Sequence, residues 1–234
     1  MTGTTLNNRI CVSIADPSVD TALAAARKAA ESADVIEIRL DSLTVPAVQP
    51  FIDGVSKPLL FTCRPQWEGG QYDGEEVARI DLLVEAVRAG AAYVDIELRA
   101  EEDSRRRLLD AAKGSACRVI VSWHDFKVTA SEQGLGKVFQ QMYRSGADIG
   151  KIVTTAREYR DVLRVLNLQD EAAEMEFPLI AFCMGPVGVI SRVATCGLGG
   201  YMTYASPDAG AATAPGQISV AVLRRMLTEL AHAG

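Results

Sequence analysis

Lys151 stands inside the stretch Ala147-Asp148-Ile149-Gly150-Lys151-Ile152-Val153, a short apolar run with β-branched residues that follows the turn signal Ser145-Gly146. The pattern predicts a buried strand. A lysine there either snorkels to water or keeps its nitrogen where an ammonium is poorly solvated. The second arrangement favours a free amine that can attack a carbonyl and form an imine. The strand alone favours the first, because a lysine is seldom fully buried without a partner, and the rest of the chain reverses that preference. His124, one of only two histidines in the chain, precedes it by one strand. An imidazole can carry protons in both directions near neutrality. A protonated imine is an electron sink that acidifies the neighbouring C–H bond, so an amine beside an imidazole is suited to proton abstraction next to a carbonyl.

Other candidates surround this pair in sequence. Glu68 lies in the loop Arg64-Pro65-Gln66-Trp67-Glu68-Gly69-Gly70 and can orient His124, or stand as a loop carboxylate without a task. Arg39, Arg64 and Arg192 offer an anion site on a chain whose net charge is −6. Arg192 follows Gly185-Pro186-Val187-Gly188-Val189-Ile190-Ser191, a turn entering a short helix. Guanidinium forks and helix N-termini both suit a carboxylate, while the glycines also fit a phosphate cradle. The segment 205–217, rich in small residues with Pro207, Gly210, Pro215 and Gly216, reads as a lid over the site or as an ordinary surface loop.

The elements that must position these groups alternate. Strands are expected at 9–14, 35–40, 58–64, 93–98, 118–122, 147–153, 178–183 and 201–204. Helices are expected at 19–33, 48–55, 75–89, 102–112, 131–145, 157–171, 189–194 and 218–232. Eight β/α units in 234 residues, with no break like a linker, predict a single-domain (β/α)8 TIM barrel over 1–234. An open doubly wound sheet would carry a glycine-rich turn after its first strand, where this chain has Ala15-Asp16-Pro17.

Side chains alternate across a strand, so one parity of each barrel strand faces inward. Glu37, Arg39 and Asp41 oppose Ile36, Ile38 and Leu40; Thr62 and Arg64 oppose Phe61 and Cys63. Asp95 and Glu97 oppose Val94, Ile96 and Leu98; Ser13 opposes Val12 and Ile14; Ser122 and His124 share a parity. Polar residues thus gather at the C-terminal ends of the strands, where barrel enzymes keep their chemistry. Glu37–Arg39 and Arg64–Glu97 pairs, with Asp41 and Asp95, are expected to neutralise part of this charge. Burying paired charges seldom adds net stability, so a binding or catalytic mouth explains them better.

The totals exclude other classes. An acidic chain argues against nucleic-acid or membrane-surface binding. No apolar stretch approaches a membrane span, and residues 1–8 are polar with no leader pattern. The five cysteines are scattered, which points to reduced thiols in the cytoplasm; convergence of Cys63, Cys183 and His124 on a metal is not favoured. Arg105-Arg106-Arg107 follows three acids and reads as a solvated helix face.

Six motifs, in order along most of the chain, resemble those of the type I 3-dehydroquinate dehydratases. They are Glu37-Ile38-Arg39-Leu40-Asp41; Arg64 with Glu68-Gly69-Gly70; Ser122-Trp123-His124-Asp125; Gly146-Ala147-Asp148-Ile149-Gly150-Lys151; Gly188-Val189-Ile190-Ser191-Arg192; and Ala214-Pro215-Gly216-Gln217. The resemblance implies a (β/α)8 barrel, usually a homodimer, that dehydrates 3-dehydroquinate to 3-dehydroshikimate without metal or organic cofactor. It implies Lys151 as the imine-forming residue, His124 as general acid/base and Glu68 as its supporting acid. It implies Arg192 on the substrate carboxylate, and Ser13, Glu37, Arg39, Arg64 and Gln217 on hydroxyls and ring substituents. Met184 and Tyr204 are implied as apolar wall. Thr213 stands where many relatives carry a lid serine, and its hydroxyl can make the same bond. About eight residues precede the first strand, too few for the hairpin that closes the barrel base in several relatives. Two rivals remain: an imine-forming aldolase of phosphorylated sugars, which needs a phosphate site, and a non-catalytic binder of small carboxylic acids.

Overall fold

The computed structural model of the chain describes residues 9–208, 210, 214 and 216–232. Eight strands pair in parallel: β1 (Ile10–Ile14), β2 (Val35–Arg39), β3 (Leu59–Thr62), β4 (Tyr93–Glu97), β5 (Arg118–Asp125), β6 (Ile149–Thr155), β7 (Leu179–Met184) and β8 (Thr203–Ala205). The sheet order is β7-β6-β5-β4-β3-β2-β1-β8, and Tyr201 N–H donates to Leu179 O across the remaining seam. Helices α1 (Val19–Ala29), α2 (Gln49–Gly54), α3 (Glu76–Arg88), α4 (Glu102–Ala112), α5 (Glu132–Arg144), α6 (Tyr159–Leu166), α7 (Leu168–Glu174), α8 (Val189–Gly197) and α9 (Val220–His232) alternate with them. This is a single-domain (β/α)8 TIM barrel. No described helix is long and apolar enough to cross a membrane.

Local sequence explains the helices. Ser18 and Ser131 cap α1 and α5 by accepting from Thr21 N–H and Gly134 N–H. Leu135, Phe139 and Met142 fall at helical spacing and carry the buried side of α5. One helix expected over 157–171 is two. At Asn167 the chain tightens, with Asp170 N–H bonding to Asn167 O three residues back, and α7 then turns Leu168 and Ala172 inward. Arg106 pairs with Glu102 and Asp103, and Arg107 with Asp81, as a solvated helix face does.

Two apolar layers lie on either side of the sheet. One, between strands and helices, holds Val12, Ile36, Ile38, Phe61, Val94 and Val121. The other fills the barrel interior with Cys11, Val35, Leu60, Ile120, Ile149 and Ile180. Along several strands the inward parity then changes from apolar to charged: Val35 to Glu37 and Arg39, Ile120 to Ser122 and His124, Ile149 to Lys151. The barrel is therefore dry at its base and polar at its mouth. The residues before Arg9, on which the expectation of a missing base hairpin rests, lie outside the described residues.

Candidate active site

The polar mouth is an open pocket of about 560 Å³. Ser13, Glu37, Arg39, Arg64, Glu68, His124 and Lys151 line it. Phe182, Met184, Tyr204, Arg192 and Gln217 complete the wall. Nine of the ten expected site residues thus meet in one cavity; the tenth, Thr213, lies outside the described residues, as does much of the 205–217 segment.

Strand register sets the pair at its centre. Ser122 lies opposite Lys151 and His124 opposite Val153 in the β5–β6 ladder, so lysine and imidazole project into the same space from adjacent strands. His124 is inside β5, which runs three residues further than the expected 118–122. Lys151 is 4 % exposed. Its Nζ donates to Asp95 Oδ2 at 3.2 Å and to the Tyr204 hydroxyl at 3.1 Å, and Glu37 Oε1 lies 3.7 Å away. This corrects two expectations. The amine is fenced from solvent, but Asp95 and Glu37 beside it can solvate an ammonium, where the strand pattern implied poor solvation. Tyr204 presents a hydroxyl as well as a ring face, the ring centroid lying 4.2 Å from Nζ.

Asp95 has more than a neutralising place. It takes hydrogen bonds from Arg64 Nη2 at 2.9 Å, Ser122 Oγ at 2.6 Å and Lys151. Burial opposes its charge, yet Arg64 and Lys151 outweigh burial and hold the carboxyl below the usual carboxylate range. Arg64 also pairs with Glu97 at 2.6 Å, as expected. The expected Glu37–Arg39 pair is replaced: Arg39 makes a two-point contact to Asp41, while Glu37 accepts from Thr62 Oγ1 at 2.9 Å. Burial lowers Arg192 to about 10, and its guanidinium lies over the Phe182 ring. Ser13 Oγ is buried with no hydrogen-bond partner among the described residues. Such a group is costly unless a ligand completes it.

Glu68 is 1 % exposed and carries the histidine. Its Oε1 accepts from the His124 backbone N–H at 2.8 Å and lies 3.1 Å from Nδ1. A carboxylate there assigns the proton to Nδ1 and leaves Nε2 with a lone pair. Burial, Arg64 and Lys151 hold His124 well below the usual imidazole value, so the ring is neutral near pH 7. Burial pushes Glu68 up to about 7 against the pull of Arg64 and Arg99. Gly69 is left-handed (φ +77°), and a Cβ on Gly70 would stand 2.0 Å from Arg64 O. Those two glycines let the loop fold back and bring Glu68 beneath β5. A Cβ on Gly188 would lie 2.5 Å from Met184 O, so that glycine serves close packing of α8 against β7 rather than a phosphate cradle.

Comparison with known proteins gives the family. A family model described as type I 3-dehydroquinase matches residues 10–233. The chain belongs to the type I 3-dehydroquinases. A 3-dehydroquinate dehydratase of Desulfotalea psychrophila is 48% identical over 218 residues, which is 93% of this chain and 96% of that protein. A bifunctional 3-dehydroquinate dehydratase/shikimate dehydrogenase of Arabidopsis thaliana is 37% identical over 90% of this chain and 35% of its own length. The structure of a type I 3-dehydroquinate dehydratase from Clostridium difficile with covalently modified comenic acid has a TM-score of 0.89 at 26% identity. It covers 100% of this chain and 96% of that one. The protein is a 3-dehydroquinate dehydratase, and the aldolase and binding-protein readings fall with that assignment.

Three residues in or behind this pocket carried no signal in the strand pattern. Arg79, fully buried on α3, pairs with Glu97 at 2.7 Å and donates to Cys63 O. Arg99 pairs with Glu68. Phe126 stacks on the His124 ring at 6.0 Å. Cys63 and Cys183 pack in the layer between strands and helices, while His124 lines the pocket. Among the described residues no group of three His, Cys, Asp or Glu could hold a metal ion.

Proposed function

We propose that dehydration proceeds through a lysine imine. The observation that carries this is Lys151 Nζ, buried and held by Asp95, Glu37 and Tyr204 in the pocket that His124 lines. Nζ adds to the ring ketone of 3-dehydroquinate; water leaves and a C=N bond forms. His124 Nε2 takes the proton alpha to the imine, and the electron pair moves toward the imine nitrogen as an enamine. That pair then returns to form the new C=C bond as the β-hydroxyl departs, protonated by the imidazolium. Water adds to the imine carbon, expels Nζ and releases 3-dehydroshikimate. Glu68 holds Nδ1–H throughout and so keeps Nε2 the reactive nitrogen.

Arg192 takes the substrate carboxylate in this reading, which offsets the burial of its guanidinium. Ser13, Glu37, Arg39, Arg64, Gln217 and the lid residue Thr213 take hydroxyls and ring substituents. The unpartnered Ser13 hydroxyl supports that assignment. The chain works as a cytoplasmic homodimer on a free carboxylic acid, without nucleic acid or membrane. Five free, buried cysteines and the net charge of −6 support this environment. Sedimentation at micromolar concentration tests the dimer.

The test of the chemistry is Lys151→Met, which keeps length and apolar packing. Turnover, read by the absorbance of the conjugated enone product, falls to background while the variant melts as a folded protein. A folded variant with more than a hundredth of wild-type kcat contradicts the imine route.

A further inference from the structure

We propose that Arg99 is a positioning residue that keeps the Glu68–His124 pair in its base-competent state and makes that state sensitive to ionic strength; this rests on the reading of His124 as the base. Arg99 lies in the loop between β4 and α4, two residues past the end of the strand. Leu98 N–H donates to Ser122 O at 2.7 Å, and β4 has ended at Glu97. Beyond that point no strand residue is left on this edge to serve the backbone of His124. Two side chains take over. Glu68 Oε1 accepts from His124 N–H at 2.8 Å, and Arg99 Nη2 donates to His124 O at 3.1 Å. Arg99 Nε donates to Glu68 Oε2 at 2.9 Å, with Nη2 2.8 Å from the same oxygen. The three residues form a closed ring, and only a planar fork can reach both partners at once.

Glu68 has four charged or titratable neighbours: Arg64 at the end of β3, Glu97 on β4, Arg99 beyond it, and His124 on β5. His124 faces Arg64, Lys151, Asp95 and Arg39 besides. Arg64 is buried and committed to Asp95 and Glu97. Arg99 is different: its side chain is 49% exposed and reaches over the Trp67 ring. A buried pair is little affected by salt, whereas a half-exposed partner is screened. The site thus combines an internal field that salt does not reach with one external charge that it does.

The test is the pH dependence of kcat/KM for 3-dehydroquinate in wild type, Arg99→Gln, Arg99→Lys and His124→Gln, each at ~0.05 M and ~1 M salt. Loss of the guanidinium favours protonation of the Glu68–His124 pair. In Arg99→Gln the acid limb therefore moves up by about half a pH unit, the range expected for a half-exposed pair. In wild type, high salt moves the limb toward the Arg99→Gln position; in Arg99→Gln salt moves it much less. Arg99→Lys restores the limb and its salt response, but with lower kcat because an ammonium cannot span both oxygens. An unmoved limb in Arg99→Gln, or an equal salt response in both proteins, overturns the proposal even if kcat falls. A different outcome strikes the underlying reading: near wild-type turnover by His124→Gln would remove His124 as the base, whatever Arg99 does.

Discussion

Lys151 and His124 were legible as a pair because strand parity is a strict rule: side chains alternate, so Lys151 and His124 fall on the inward parity of adjacent strands. What parity does not reveal is partnership. The pattern shows that Asp95 faces inward, but not that its two oxygens divide between Arg64 and Lys151. Nor does it reveal residues beyond the strand ends, which is why Arg99 and Phe126 carried no signal. The Glu68–His124 pair has a defined pH consequence. Glu68 titrates at about 7 and His124 well below its usual value. As pH falls through about 7, Glu68 gains a proton and loses its grip on Nδ1–H, so with His124 as the proposed base kcat/KM should decline toward acid. Glu68→Gln removes that titration while its amide oxygen can still accept from Nδ1–H. Its profile should lack the step near 7, with kcat lower by about 10- to 100-fold, within what a positioned acid–base group contributes. A step that persists near 7 in Glu68→Gln would assign it to another group.

At the scale of elements, strand ends and loop glycines set the site. The Glu68-Gly69-Gly70 turn was visible in the sequence as an acid beside two glycines; its purpose was not, since only the fold shows Arg64 O pressed against Gly70. Gly70→Ala should cost about 1–3 kcal/mol in urea unfolding and lower kcat as well, because backbone must move and Glu68 moves with it. The contrasting variant is Gly114→Ala, where φ is +74° but nothing lies within 4 Å. It should cost about 1 kcal/mol from the left-handed backbone and leave kcat alone. Equal kinetic effects from the two would contradict the role given to the turn. The division of the expected 157–171 helix into α6 and α7 was not legible. No proline or glycine marks Asn167, and the tightened turn there answers to packing rather than to local propensity.

At the scale of the whole molecule, one chain of ion pairs joins the helical layer to the buried amine of Lys151. It runs from Glu76 at the surface through Arg79, Glu97, Arg64 and Asp95 to Lys151. Barrel class and element order followed from the alternating pattern, but this link crosses the sheet and no single element displays it. Removing one member leaves a buried charge less compensated, so Arg79→Met should destabilise by about 3–5 kcal/mol. Adding Glu97→Gln to Arg79→Met should recover part of that loss, read as urea midpoints in a double-mutant cycle. Strictly additive losses would mean that the pairs act independently. The same network sets an acid limit. Asp95 has its pKa depressed in the fold, so its contribution to stability is present above the unfolded value near ~4 and is lost as pH falls below it.

The lysine imine is tested most directly by trapping it. Enzyme mixed with 3-dehydroquinate and borohydride, then digested and sequenced by mass spectrometry, should carry a reduced ligand adduct on Lys151, with activity lost in proportion to labelling. An adduct on another lysine, or none at all while turnover proceeds, would contradict the account.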